Sequence, residues 1–418
     1  MKLSYPEMIR VRQVLDVPRV ENIEETVDRE LGSLNGLGIK RGDRIAVTAG
    51  SRGVANIVRI LRRVVQKIRE AGGEPFLIPT MGSHGGGAAE GQIDVLRSLG
   101  VTEESTGAPI RSSMEVVEIG KSRFGFPVLV DRYAAGADGI VVLNRIKPHT
   151  EFEGPIESGL MKMMAIGMGK HKGCFEVHRQ TVQFGYREVI PEIGSIILGK
   201  LPVLFGLAIV ENVYDETALI RAVPASKILE TEKELLSLAK NLMARLPFDK
   251  IDVLVVDEMG KNVSGTGMDT NVIGRIMFIG EKEPERPRIT RIVVLDLTEA
   301  THGNGVGIGL ADYTTRRLVE KLDLSVTATN AITAMTPEKG RIPLAMATDQ
   351  EAVNAAFQTI GAVQPEEAKV VHIRNTLELG EMEISRALMK ESQGKAEIQP
   401  LREIGPLHFD ASGRIQKV

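Results

Sequence analysis

Between Lys147 and His178 the chain reads KPHTEFEGPIESGLMKMMAIGMGKHKGCFEVH, which holds His149, His171 and His178, three of its seven histidines, and its single cysteine, Cys174. Lysines stand at 147, 162, 170 and 172, and the run contains no arginine. A solvated basic face draws on both kinds of cation. Imidazole, amine, glycine and methionine together suit a site that holds a ligand through neutral nitrogen donors and an amine. The plainer alternative is a basic loop with incidental histidines.

Within the run, Lys162 is set among Leu160, Met161, Met163, Met164 and Ile166. An amine in apolar surroundings loses its proton readily and can form a covalent attachment, although a lysine snorkelling from a helix edge has the same spacing. His178 suits a borderline metal such as nickel, copper or zinc. No CxxC, HExxH or carboxylate pair accompanies it, so a metal here would take most of its ligands from something other than the protein. His149 follows Pro148, which biases it away from helix. Further upstream, His84 lies in the turn Met81-Gly-Ser-His-Gly-Gly-Gly87. It reads as a general base, or as a spectator in a phosphate-binding glycine loop. Two imidazoles flanking one substrate are what inversion at a carbinol carbon needs, because hydrogen leaves one face and returns to the other.

These residues need elements to position them. Arg44–Thr48 is an apolar run that enters Ala49-Gly-Ser51-Arg52-Gly53. Val54, Ile57, Val58, Leu61, Val64, Val65 and Ile68 then follow at helical spacing, stopped by Gly72-Gly73. Pro75–Thr80 is a second strand running into the His84 turn. Strand, helix, strand at this spacing is a βαβ unit, so Arg52 and His84 both fall just past the carboxyl ends of parallel neighbours, where open α/β sheets place ligands. Asp138–Asn144 is a continuous apolar strand, buried on both faces, and it leads to His149. Helix is expected over Ser158–Ile166, after Gly194 and over Lys227–Leu246, with strand over Leu204–Glu211. Beyond Pro247 the pattern predicts strands over Ile251–Val256, Ile289–Leu297 and Lys369–Arg374, and helices over Asp312–Leu322 and Gln350–Ile360. The expected division is therefore an N-terminal α/β domain over 1–246 and a C-terminal α/β domain over 247–418, with mainly parallel sheets.

Composition narrows the class. Hydrophobic residues at 43 % and charged residues at 26 % of 418 are those of a globular enzyme-like chain. A net charge of −3 and 4 % aromatics with no tryptophan argue against nucleic acid and against an anionic membrane surface as partners. One cysteine and no apolar run of membrane-spanning length lead us to expect a cytoplasmic protein.

Ser51-Arg52 after the first strand, Gly82-Ser83-His84 after the second, Pro148-His149 after the next, and Lys162 followed sixteen residues later by His178 together resemble the lactate racemase family. The resemblance spans nearly the whole chain. It implies a cofactor, the nickel-pincer nucleotide derived from nicotinic acid, and makes the cofactor-forming enzymes transient partners. It further implies that Lys162 holds the cofactor covalently, that His178 is the protein ligand to nickel, and that His84 and His149 are the acid/base pair. Ser51 and Arg52 would bind the cofactor or the substrate carboxylate. Asp269-Thr-Asn271-Val-Ile-Gly-Arg275 resembles a second-domain motif that would add Asn271 and Arg275 to the cofactor site, in a cleft between the domains. The implied reaction is racemisation or epimerisation of a 2-hydroxy acid by hydride transfer coupled to proton transfer. Departures lie around the substrate. The family's G-Y-S-G-G-x-K run is replaced by Gly154-Pro-Ile-Glu-Ser-Gly159, the thirteen-residue step from His149 to Lys162 is longer than usual, and Arg275 stands near where lysine is usual. They point to a 2-hydroxy acid other than lactate. A cofactor-storage protein without racemase activity and a nicotinamide-dependent oxidoreductase are the other two readings, the latter without a GxGxxG fingerprint.

Overall fold

The computed structural model describes residues 4–34, 36–392 and 397–418. Its strands are, in chain order, β1 (Glu7–Gln13), β2 (Arg44–Ala49), β3 (Glu74–Pro79), β4 (Val116–Lys121), β5 (Pro127–Asp131), β6 (Gly139–Arg145), β7 (Val203–Glu211), β8 (Thr217–Pro224), β9 (Lys250–Val256), β10 (Arg288–Val294), β11 (Tyr313–Thr315), β12 (Leu344–Met346), β13 (Val370–Ile373), β14 (Glu381–Ser385) and β15 (Ile398–Pro406). The fold is α/β, and the chain divides into two compact units. One comprises Val17–His149 with Glu153–Met243; the other comprises the residues up to Asp16, Thr150–Phe152 and everything from Ala244 on.

In the 17–243 unit the sheet order is β3-β2-β6-β7-β8. The first four strands are mutually parallel, and β8 is antiparallel to β7. Ala49 pairs with Pro79, so β2 and β3 end level and their loops leave the sheet side by side. The helix Ile57–Glu70 covers this sheet through buried Ile60, Leu61, Val64, Val65 and Ile68, while Arg59 and Arg63 pair outside with Glu24 and Asp28. It begins three residues after the apolar spacing does. Ala55 N donates to Glu211 Oε1 at 2.6 Å and Ala55 O accepts from Thr217 Oγ1, so that stretch is held as loop.

Two helices here depart from expectation. The segment after Lys162 continues as a π-helical turn, Met163–Gly167, and then as a full helix, Lys170–Phe184, where no helix was expected. The next helix runs over Tyr186–Lys200 and passes through both Pro191 and Gly194. Gly194 is there for packing: a Cβ on it would lie 2.4 Å from Met161 Cε. The helix Ile228–Leu242 ends four residues short of Leu246, because Met243 turns extended.

The second unit has one sheet of order β12-β11-β10-β9-β13-β14-β1-β15. Strands β9 to β13 pair in parallel, whereas β14, β1 and β15 pair antiparallel. The N-terminal strand therefore counts with this unit and not with residues 17–243, which alters the expected 1–246 domain. The polar tail supplies the edge strand β15. Asp312–Leu322 is helical only over Arg316–Glu320, because Thr314 and Thr315 donate to the Val294 and Leu295 carbonyls and seat β11 in the sheet. No helix among the described residues is long and apolar enough to cross a membrane.

A buried charge cluster ties this sheet together. His372 on β13 is fully buried, with Nε2 2.8 Å from Asp257 Oδ1 and Nδ1 3.2 Å from Glu383 Oε2. Burial alone would lower the imidazole pKa, but the two carboxylates outweigh it and hold the ring at about 9. A pKa above the ordinary 6.5 means that the folded state binds a proton the unfolded chain gives up. This stabilisation is complete below about pH 6.5 and is lost as pH rises through 9. The melting temperature should therefore fall across that window, and His372→Gln should flatten the fall; an equally steep decline in the variant would remove His372 as its source.

Candidate active site

Three strand-end loops of the 17–243 unit come down on one helical segment, the one running from Leu160 through Lys162 to Phe184. Beyond β2, Gly50 packs on it closely enough that a Cβ would meet Met163 Cε at 3.2 Å. Beyond β3, Gly82 N donates to Gly167 O at 3.2 Å, and a Cβ on Gly82 would lie 2.9 Å from Cys174 Sγ. At the carboxyl end of β6, Asn144 Nδ2 donates to Gly159 O at 2.9 Å. Glycine is needed at position 82 on two counts, this close approach and its φ of +59°. The parallel sheet thus delivers Ser51-Arg52, His84 and His149 to the same helical wall.

At its centre, Lys162 Nζ lies 2.6 Å from His149 Nε2. An ammonium can only donate, so with Lys162 protonated Nε2 is the acceptor and the ring proton sits on Nδ1. The His149 ring centroid is 5.7 Å from that of Tyr186, and the His178 ring meets the same tyrosine edge-on at 6.1 Å. Tyr186 is 1 % exposed. One buried aromatic ring therefore positions both imidazoles, and Lys162, His149 and His178 form a single cluster.

Two buried carboxylates hold this cluster from behind. Glu157 accepts from His149 N at 2.7 Å and from Gly154 N at 3.0 Å, and it pairs with Lys240 Nζ at 2.6 Å. Burial raises the Glu157 pKa against these three partners. Glu232 Oε2 accepts from Met161 N at 2.9 Å, one residue before Lys162. Its carboxyl is buried to the point that its pKa is pushed up to about 8. Neither had been singled out from sequence. Glu232 did leave a signal: it falls on the stripe Ile228, Leu235, Leu236, Ala239 that the helix buries, where an acid is out of place. Tyr186 left none beyond its position after Gly185.

Arg52 is held in the loop after β2 with no hydrogen bond or carboxylate partner among the described residues. Burial, and then the nearby Arg145 charge, lower its pKa. Arg145 itself is neutralised by Glu211, the carboxylate that also takes Ala55 N. Ser51 and Arg52 are both half-buried. An unneutralised guanidinium beside an already satisfied one is a place for an anion.

His84 begins the short 3-10 turn Gly85–Gly87 and is half-buried. His171 is exposed, its ring lying where a Cβ on Gly87 would be 2.9 Å from Nδ1. Lys170 is sealed in the interior against Asp131, which separates it from Lys162 as a candidate for attachment. Asn271 and Arg275 belong to the other unit. Asn271 N and Nδ2 both donate to Asp269 Oδ1 at 3.0 Å, and Arg275 makes two 3.1 Å contacts with Asp312 Oδ2 and donates to Leu310 O. Arg275 thereby fastens the turn before β11.

Among the described residues no group of three or more His, Cys, Asp or Glu side chains could hold a metal ion. The chemistry of Lys162, His178 and Arg52 nonetheless fits an organic group carrying its own metal: an amine for attachment, an imidazole of the kind that ligates a borderline cation, and an unneutralised guanidinium.

Ligand loops at the carboxyl ends of β2, β3 and β6 over a lysine- and histidine-bearing helix define an α/β protein with a strand-end site of the open-sheet kind. Residues 16–187 match the family model described as lactate racemase N-terminal domain. That stretch is similar to the lactate racemase N-terminal domain, and it lies almost wholly within the 17–243 unit. Among solved structures it is similar to the lactate racemase apoprotein from Thermoanaerobacterium thermosaccharolyticum, at 12 % identity and TM-score 0.53, covering 88 % of this chain and 98 % of that one. It is also similar to a structural-genomics protein from Thermotoga maritima, at 14 % identity and TM-score 0.51, covering 85 % and 94 %. At these identities the likeness is one of fold. No curated protein matches the chain.

Proposed function

We propose that this protein inverts the carbinol carbon of a 2-hydroxy acid, as a racemase or epimerase, using a nickel-pincer nucleotide. The observation that carries the reading is the cluster of Lys162, His149, Tyr186 and His178 at the carboxyl end of a parallel sheet, within the stretch that matches the lactate racemase N-terminal domain. Lys162 would hold the cofactor through Nζ, and His178 would give its nickel an imidazole nitrogen. What the bound cofactor would supply is reversible acceptance of hydride. His149 and His84 take the hydroxyl proton and return it, a task suited to a group that titrates near neutral pH. Glu157 keeps the His149 backbone in place while this happens. Arg52 pairs with the substrate carboxylate and so fixes which carbon is presented.

Protein co-produced with the cofactor-forming enzymes should abolish the optical rotation of at least one enantiopure acid in a panel of 2-hydroxy acids. A cofactor-sized mass increment with no change in rotation across the panel would instead mean storage. In the active enzyme, Arg52→Ala should raise KM roughly 10²-fold by removing a desolvated charge partner. Arg52→Lys should not restore it, since lysine lacks the two-pronged guanidinium. An unchanged KM in Arg52→Ala would take the carboxylate away from this residue.

A further inference from the structure

Lys170 is the first residue of the helix that carries His178, and its backbone is left-handed, with φ +55°. A residue with a side chain adopts that conformation at a cost of about 1 kcal/mol or more. The side chain turns inward and is 0 % exposed. Its ammonium faces Asp131 Oδ2 at 3.0 Å, as an ion pair rather than an aligned hydrogen bond, and donates to Pro79 O at 2.5 Å and to Gln92 Oε1 at 3.1 Å. Pro79 is the last residue of β3, from which the His84 loop departs.

Gln92, also 0 % exposed, continues the chain of bonds. Its Nε2 donates to Gly82 O at 2.9 Å and to His84 O at 3.3 Å. An ammonium has no lone pair, so the Gln92 oxygen must be the end facing Lys170 and the NH2 the end facing the loop. The orientation of the amide is therefore set by the lysine. The loop it clamps has four left-handed glycines, Gly82, Gly85, Gly86 and Gly87, and such a backbone does not define its own conformation. Neither residue touches the cluster at Lys162, and no part of the proposed chemistry uses them.

We propose that Lys170 and Gln92 are positioning residues, which hold the Gly82–His84 turn in fixed register with the helix bearing His178. The catalytic consequence rests on the racemase reading; the geometric one does not. In Gln92→Met the isosteric side chain keeps the packing and loses the clamp. Amide hydrogen exchange over residues 81–88 should then rise about tenfold, as expected for lost hydrogen bonds, with exchange in the Ile57–Glu70 helix unchanged. Gln92→Asn, too short to bridge Lys170 and both carbonyls, should behave the same way and serves if the first variant does not fold. Unchanged exchange at 81–88, or a rise spread over the whole unit, overturns the proposal. In cofactor-loaded protein, Gln92→Met should lower kcat more than it raises KM. If the wild type racemises nothing yet the loop loosens in the variant, the racemase reading fails and the positioning role stands. If the wild type is active and the loop does not loosen, the positioning role fails alone.

Discussion

His149→Ala is expected to lower racemisation by about 10²–10⁴-fold, the usual contribution of a positioned acid/base group. The attached cofactor mass should persist in this variant, because the proposed attachment is through Lys162. Lys162→Ala should show the opposite pattern of cause, losing the mass increment together with activity. The prediction is sharp because His149 has three neighbours that fix it: Glu157 at its backbone nitrogen, Lys162 at Nε2, and the tilted Tyr186 ring beside it. Chiral chromatography of the product from an enantiopure substrate reads the outcome directly. Activity within tenfold of wild type would remove His149 from the proton transfer.

Lys170→Met is expected to produce a large loss of stability. It strands the Asp131 carboxylate, 1 % exposed at its side chain, without its cation. Breaking a buried pair from one side typically costs about 3–5 kcal/mol, which in a unit of this size lowers the melting temperature by on the order of 10 °C. Asp131 has a second task, accepting from Tyr133 N at 2.7 Å and Ala134 N at 3.1 Å through Oδ1. An asparagine oxygen can perform it. The double variant Lys170→Met with Asp131→Asn should therefore recover much of the loss, because it removes the uncompensated charge and keeps the cap. Thermal melts followed by circular dichroism compare the three proteins. A double variant as unstable as the single one would mean that the lysine acts by packing and not by charge.

Much of the site was readable because it depends on short-range pattern. Apolar runs such as Arg44–Thr48 and Asp138–Asn144 announce buried parallel strands, and the spacing between them announces right-handed crossovers, so the loops at Arg52, His84 and His149 had to share one edge of a sheet. The sixteen-residue interval from Lys162 to His178 is likewise a property of the chain. What local pattern misreported were residues whose types signal one thing and whose packing uses another. Pro191 and Gly194 look like helix breaks, yet the helix runs through both, the glycine making room for Met161. Lys170 falls where no helix was expected, yet it is interior and begins one.

The amino-acid sequence by itself determined the α/β class, the strand ends that carry the candidate site, and the residue types delivered there, because each follows from periodicity and turn chemistry within a few tens of residues. Only the tertiary structure decided that Tyr186 contacts both imidazoles, that Glu157 holds the His149 backbone and Glu232 that of Met161, that the first strand pairs with β14 and β15, and that Lys170 reaches through Gln92 to the His84 turn. Those are closures between segments far apart in the chain. They are selected by which buried polar groups can satisfy one another once the core has formed, and nothing in a local pattern records that.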